Sequence, residues 1–291
     1  MVWINGAVEP AEMALLAVTD RGFQLGDGVF ETVRVVAGRV LELSLHVNRL
    51  RASAAVLDIT VPEDLECRLQ DAIAQLLVTN GPHGTSGQAA VRATLSRGPV
   101  DGRALLPPES IEPTLVVQLW PVDPIAPELL ERGLNLVIAD VRRDPASPLA
   151  RVKTTSRAEF VYARIEAARR GADEAVFLTT DGNLAEATSA SLFLLEPAGL
   201  ATPSLECGIL VSTTREWVIS KGAPGLGLAV REARLTEEDL FAAEEAFLAS
   251  SVAGIVPVTR AEGRDIGSGR PGARTMALRA LRENAVWQAP S

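Results

Sequence analysis

Three prolines in seven residues, Pro121-Val-Asp-Pro124-Ile-Ala-Pro127, constrain this chain more than any other stretch. Proline has no backbone N–H and holds φ near one value, so the segment can continue neither a helix nor a central strand. A linker is the expectation, and 291 residues leave room for a hydrophobic core on each side of it. The sequence thus predicts a smaller N-terminal α/β domain over 1–122, a linker over 123–128 and a larger domain over 129–291 with a mixed-sheet, barrel-like core.

Strand and helix patterns alternate on both sides. In the first part, strands are expected over Val29–Val36 and Arg39–Leu43 about an Ala37-Gly38 turn, and over Ala89–Ser96 and Thr114–Trp120. Helices are expected over Leu43–Leu57 and from Pro62 to Val78, with apolar residues at helical spacing. Beyond the linker come strands at Leu134–Val141, Glu174–Thr179, Ser191–Leu195, Leu228–Glu232, Phe247–Ser250 and Ile255–Val258. Between and after them lie helices at Arg157–Arg170, after Thr213-Thr214, after the cap Leu235-Thr236-Glu-Glu, and at Thr275–Glu283.

A net charge of -9 argues against a nucleic-acid or anionic-membrane partner, because binding phosphate backbones requires a basic face. A local pocket for one small phosphate stays compatible with it. Cys67 and Cys207 are too few and too far apart for a zinc site or a disulfide framework, and the two histidines exclude a histidine-rich metal site. No apolar run reaches the ~18 residues of a membrane span. The start, Met1-Val-Trp-Ile-Asn-Gly, reads as a strand entering a turn, with no signal-peptide pattern, and a reducing cytoplasm is the simplest expectation.

The chain has two lysines, Lys153 and Lys221, against 26 arginines. An amine can lose its proton and attack a carbonyl, which a guanidinium cannot do. Lys221 is accounted for by the end of a helix over Thr213–Ser220, just before Gly222, where a cation is favoured. Lys153 follows Val152 at the end of the run Pro148-Leu-Ala-Arg-Val-Lys and precedes Thr154-Thr155-Ser156-Arg157, a strand-to-helix junction. It is either a reactive amine or a solvated loop cation.

A lysine of the first kind implies an aldehyde cofactor, and pyridoxal 5'-phosphate needs a carboxylate for its ring nitrogen and hydroxyls, amides and an arginine for its phosphate. Glu186 lies between a turn and an apolar strand, Thr213-Thr214 starts a helix, Ser251 ends a strand, and Arg49 shares a helix face with apolar residues. Each has an ordinary alternative: a surface glutamate, an N-cap, a strand terminator, a snorkelling arginine.

The order of these residues decides between the readings. The run Asp20-Arg-Gly-Phe-Gln-Leu-Gly-Asp-Gly-Val-Phe-Glu-Thr32, then His46-Val-Asn-Arg49-Leu, Lys153, Gly171-Ala-Asp-Glu-Ala, Leu184-Ala-Glu186, Ser191-Leu-Phe, Thr214-Arg215, Ile255-Val-Pro-Val and Gly269-Arg-Pro-Gly resembles the class IV aminotransferases over nearly the whole chain. These fold-type IV pyridoxal-phosphate enzymes include branched-chain and D-amino acid aminotransferases and 4-amino-4-deoxychorismate lyase. The resemblance implies that Lys153 forms the Schiff base, that Glu186 partners the pyridine nitrogen, and that Arg49, Thr213, Thr214 and Ser251 form the phosphate cup. It also implies a homodimer acting on small molecules.

Members differ in the substrate pocket, and here the chain departs from each group. The tyrosine that branched-chain enzymes carry five residues after the lysine is Ala158, and the tyrosine of D-amino acid enzymes is Phe30. Thr32 and Arg157 match positions found in aminodeoxychorismate lyases. Arg34 and Arg103 are candidates for gripping a substrate carboxylate. The expectation is an aminotransferase working between an amino acid or amine and a 2-oxo acid by ping-pong half-reactions, with aminodeoxychorismate lyase as the alternative.

Overall fold

The structure is a computed structural model that describes residues 1–80, 87–102 and 104–288. It divides into two compact units. The first comprises Met1–Pro124 and the short stretch Val152–Ser156; the second comprises Ile125–Arg151 and the chain from Arg157 onward.

The first unit contains β1 (Val2–Ile4), β2 (Ala7–Glu9), α1 (Arg21–Leu25), β3 (Gly28–Val36), β4 (Arg39–Val40), α2 (Leu43–Val56), α3 (Leu65–Thr79), β5 (Gln88–Ser96) and β6 (Thr114–Pro121). The strands form one antiparallel sheet in the order β2-β1-β6-β5-β3-β4. Side chains alternate across a strand, so β3 sends Val29, Val33 and Val35 to one face, where they meet Leu43, Val47, Leu50 and Ala54 of α2 and Leu69, Ile73 and Leu76 of α3. Phe30, Thr32 and Arg34 therefore occupy the opposite face.

Two expected elements are shorter than their patterns. The strand Arg39–Leu43 stops at Val40, because Glu42 turns into the left-handed region (φ 54°) and Leu43 opens α2. The helix expected from Pro62 starts at Leu65. Arg51 explains the delay: its guanidinium donates to the carbonyls of Pro62 and Glu63 at 3.3 and 2.7 Å and holds them outside the helix.

The second unit contains α4 (Pro127–Arg132), β7 (Leu134–Arg143), α5 (Ala158–Arg169), β8 (Glu174–Thr179), β9 (Leu184–Ala187), β10 (Ser191–Glu196), β11 (Gly199–Pro203), α6 (Thr213–Trp217), α7 (Ala223–Gly225), β12 (Val230–Ala233), α8 (Glu237–Ala242), β13 (Glu245–Ser250), β14 (Gly254–Ala261), β15 (Arg264–Asp265) and α9 (Ala273–Gln288). Its mixed sheet runs β12-β11-β10-β13-β14-β7-β8-β9, with β15 paired to β14. The sheets of both units are curled, and the expected mixed α/β architecture is the observed one. Apolar clusters lie on each side of the second sheet, one including Leu136, Val176, Leu192 and Leu248, another including Phe193, Phe247, Trp217 and Leu278.

The helix expected to end before Gly222 does not end there. A π-helical turn over Val218–Gly222 carries it into α7. At Gly222 a β-carbon would lie 2.8 Å from the Trp217 ring, so glycine lets the turn pack against the indole. Lys221 thus sits within a helical stretch and is exposed.

Candidate active site

Lys153 is fastened to the first unit as an extra strand segment. The amide of Phe30 donates to its carbonyl at 3.0 Å, the amide of Thr155 donates to Gly28 at 2.9 Å, and Val29 bridges Thr154. Its own amide reaches Ser53 Oγ at 3.3 Å. The partly buried side chain lies with Nζ 4.7 Å from the centre of the Phe30 ring. A lysine in this setting is oriented by its backbone, unlike a solvated loop cation.

Phe30 belongs to the sheet face turned away from α2 and α3. The register sets Thr32 opposite Arg92, Phe30 opposite Thr94 and Arg34 opposite Ala90, so all of these share that face. Arg92 stacks on the Phe30 ring at 3.8 Å, and burial pulls its guanidinium below its ordinary pKa. Arg34 is buried, and its Nε and Nη2 both donate to Gln88 Oε1 at 3.0 and 2.6 Å. Arg92 was missed by sequence reasoning. Its signal is only its parity in β5, which becomes meaningful once the register with β3 is known.

Arg49 turns the other way. From α2 it forms a two-pronged pair with Glu31 of β3, Nε to Oε1 at 2.7 Å and Nη2 to Oε2 at 2.6 Å. His46, three residues earlier and so on the same side of the helix, brings Nδ1 to Glu31 Oε2 at 2.7 Å. Burial alone would raise the Glu31 carboxyl. The bonds from Arg49 and His46 outweigh it and hold the group down to about 2. The structure thus joins Arg49 to a buried carboxylate. Arg103 lies outside the described residues.

In the second unit Glu186 is on β9, a strand the apolar pattern did not predict, and it is buried. Its Oε2 accepts from the Leu210 amide at 3.2 Å, and its Oε1 is 3.7 Å from Nη2 of Arg143, the last residue of β7. Arg143 is itself buried, donates to the Ala150 carbonyl at 2.7 Å, reaches Glu159 at 3.1 Å and lies over Phe160 and Phe177. A buried carboxylate is tolerable only with such a cation nearby.

At the start of α6, Ser212 caps the Arg215 amide. Thr213 Oγ1 is 3.3 Å from Ser251 Oγ, in the turn between β13 and β14. The Thr214 hydroxyl is fully buried and has no hydrogen-bond partner among the described residues. The structure therefore pairs Thr213 with Ser251, with Thr214 next to Thr213 in the chain. Arg157, at the head of α5, donates to the Thr188 carbonyl at 2.7 Å and stacks on Phe160 at 3.2 Å.

The model of the amino-transferase class IV family matches residues 28–261. The chain belongs to the class IV aminotransferases. A putative branched-chain-amino-acid aminotransferase of Methanocaldococcus jannaschii is 34% identical, over 96% of this chain and 93% of its own length. The aminodeoxychorismate lyase of Bacillus subtilis is 30% identical, over 98% and 94%. Among solved structures, a T.th. branched-chain amino acid aminotransferase with pyridoxamine 5'-phosphate superposes with a TM-score of 0.90 at 27% identity, covering 99% of this chain and 94% of that one. This class IV aminotransferase thus has enzyme relatives of more than one specificity on one fold.

Proposed function

We propose that this protein is a pyridoxal 5'-phosphate-dependent aminotransferase that moves an amino group from an amino acid or amine to a 2-oxo acid. The observation that carries the reading is the seating of Lys153, an amine fixed by strand bonds and aimed over an aromatic ring on which a half-buried arginine stacks. The residues present fit the cofactor. The buried, unpartnered Thr214 hydroxyl and the adjoining Thr213–Ser251 pair suit an oxyanion, and Glu186 with Arg143 suits a protonated ring nitrogen.

When bound, the cofactor supplies an electron sink for a carbanion. Lys153 would hold it, and its freed amine would take a proton from the α-carbon of the donor and return one to the α-carbon formed from the acceptor. Glu186 would partner the ring nitrogen and favour its protonated form. Thr213, Thr214, Ser251 and Arg49 would hold the phosphate, with Arg49 kept in place by Glu31. Arg92, with Arg34, Thr32 and Phe30, forms the face that receives the substrate carboxylate, which a guanidinium binds by two parallel hydrogen bonds.

The two cysteines are free, in keeping with a reducing cytoplasm. Among the described residues no helix is long and apolar enough to cross a membrane. Leu15, Val18 and Phe23 are largely exposed in the first unit, an apolar surface suited to a second copy of the chain in a homodimer.

Borohydride treatment of the purified protein tests the reading. A cofactor adduct is expected on the Lys153 peptide and is lost in Lys153→Ala; an unmodified wild-type peptide overturns it. The similarity to the Bacillus subtilis lyase motivates one second reading, elimination of pyruvate from aminodeoxychorismate. Two incubations decide between them: loss of the ~400 nm band with amino acids alone supports transamination, whereas an unchanged spectrum there, together with release of 4-aminobenzoate from added aminodeoxychorismate, supports the lyase.

A further inference from the structure

The Asp20-Arg21-Gly22 run that opens the family-like motif has no part in the chemistry above, yet its arginine is almost fully buried. Its Nε bonds Asp27 Oδ2 at 2.8 Å. Its two terminal nitrogens donate to successive carbonyls of the β5–β6 connection, Nη1 to Ala104 at 2.8 Å and Nη2 to Leu105 at 2.7 Å. Asp27 also takes Nε of Arg97 at 2.7 Å, and Arg97 in turn donates to the carbonyls of Leu57 and Asp58. Burial would raise the Asp27 carboxyl, but Arg97 and Arg21 together hold it below its ordinary value, so it stays a carboxylate.

The geometry explains what the knot is for. The root of the connection is secured by its own backbone, with Arg97 and Val100 donating to the carbonyls of Asp27 and Thr19 and the Gly98 carbonyl accepting from Arg21. Among the described residues its far end has no such ladder. Pro107, Pro108 and Pro113 lack N–H groups, and beyond the close approach of Gly98 to Glu112 the two limbs line an open cavity of about 420 Å³ between Pro99, Val100 and Asp101 on one side and Pro108, Ile111 and Glu112 on the other. Among the described residues, the bonds to Arg21 are the hydrogen bonds that tie Ala104 and Leu105 to the rest of the unit. Those bonds end next to Asp27, which precedes Gly28, the residue whose carbonyl receives the Thr155 amide two residues after Lys153.

We propose that Arg21 is a positioning residue for substrate binding: it pins the Ala104–Leu105 part of the β5–β6 connection beside the end of β3 that carries Phe30 and receives the Lys153 segment. The inference rests on the aminotransferase reading, since it takes the Phe30–Arg92 face as the substrate face. Pinning the connection removes conformations that the substrate would otherwise have to order on binding. A flexible methionine or a single-pronged lysine cannot reproduce one guanidinium bonding a carboxylate and two carbonyls.

The test uses full-length holoenzyme carrying Arg21→Met or Arg21→Lys, with limited thermolysin cleavage of the Ala104–Leu105 bond and steady-state kinetics with pyruvate and 2-oxoglutarate as acceptors. In R21M, cleavage there is expected to speed up about tenfold, the scale of a lost hydrogen bond to a charged group, with β3 and β5 uncut as before. The acceptor KM is expected to rise by about the same factor, with kcat within about threefold and cofactor loading unchanged. R21K should fall between, and it serves alone if R21M does not fold. Unchanged cleavage overturns the proposal, as does faster cleavage at an unchanged KM, or a loss of cofactor loading that accounts for the loss of activity. If wild-type protein turns over neither acceptor, the aminotransferase reading fails on its own, while the cleavage rates still decide whether Arg21 is the anchor.

Discussion

Arg49 shows how far a single residue's meaning depends on its partner. The spacing His46-x-x-Arg49 places both side chains on one side of α2, but only the sheet supplies Glu31, the carboxylate that fixes them. Because the folded pKa of Glu31 is depressed to about 2 from its ordinary 4.5, the network contributes stability that is fully present above pH about 4.5 and is lost as pH falls through about 2. Wild-type protein is therefore expected to lose stability across that window, by about 3 kcal/mol from this group. Glu31→Gln should be less stable at neutral pH and show a flatter profile there, with denaturant unfolding at stepped pH as the measurement. A Glu31→Gln profile parallel to wild type would remove the carboxylate from the account.

At the scale of elements, strands and helices with strong periodicity were legible and short or tertiary-braced ones were not. The alternation in β3, β5 and β6 and the apolar spacing of α2 predict those elements to within a residue or two. Strand β9 escaped because it has four residues, Leu184-Ala-Glu-Ala, and a charged side chain at a buried position; its pairing to β8 and the Arg143 cation make it a strand. The connection after β5 depends on Gly98, at φ 103°, where a β-carbon would lie 2.0 Å from the Glu112 carbonyl oxygen. Gly98→Ala combines a strained backbone with a backbone clash and is expected to cost about 2 kcal/mol or more, read from the denaturant midpoint at constant m. A cost near zero would mean that the two limbs separate without penalty.

For the whole molecule, the exposed Leu15, Val18 and Phe23 carry the expectation of a second copy. Light scattering on the purified protein should give about twice the chain mass of 30.8 kDa, and Phe23→Ser should shift it toward the monomer without unfolding either unit. A wild-type mass equal to one chain would remove the homodimer.

The sequence by itself determined the α/β character, most of the elements and the inventory of reactive groups, because period-2 and period-3.6 patterns are local and a rare amine among arginines is conspicuous. Tertiary structure alone decided which of those groups have partners. It gave Glu186 to Arg143, Arg49 to Glu31 and Arg21 to two loop carbonyls, and it set Arg92 on the Phe30 ring. The physical reason is that a buried charge is defined by the group that compensates it. Arg21 and Ala104 stand 83 positions apart, and no local pattern records which distant residue the fold will deliver.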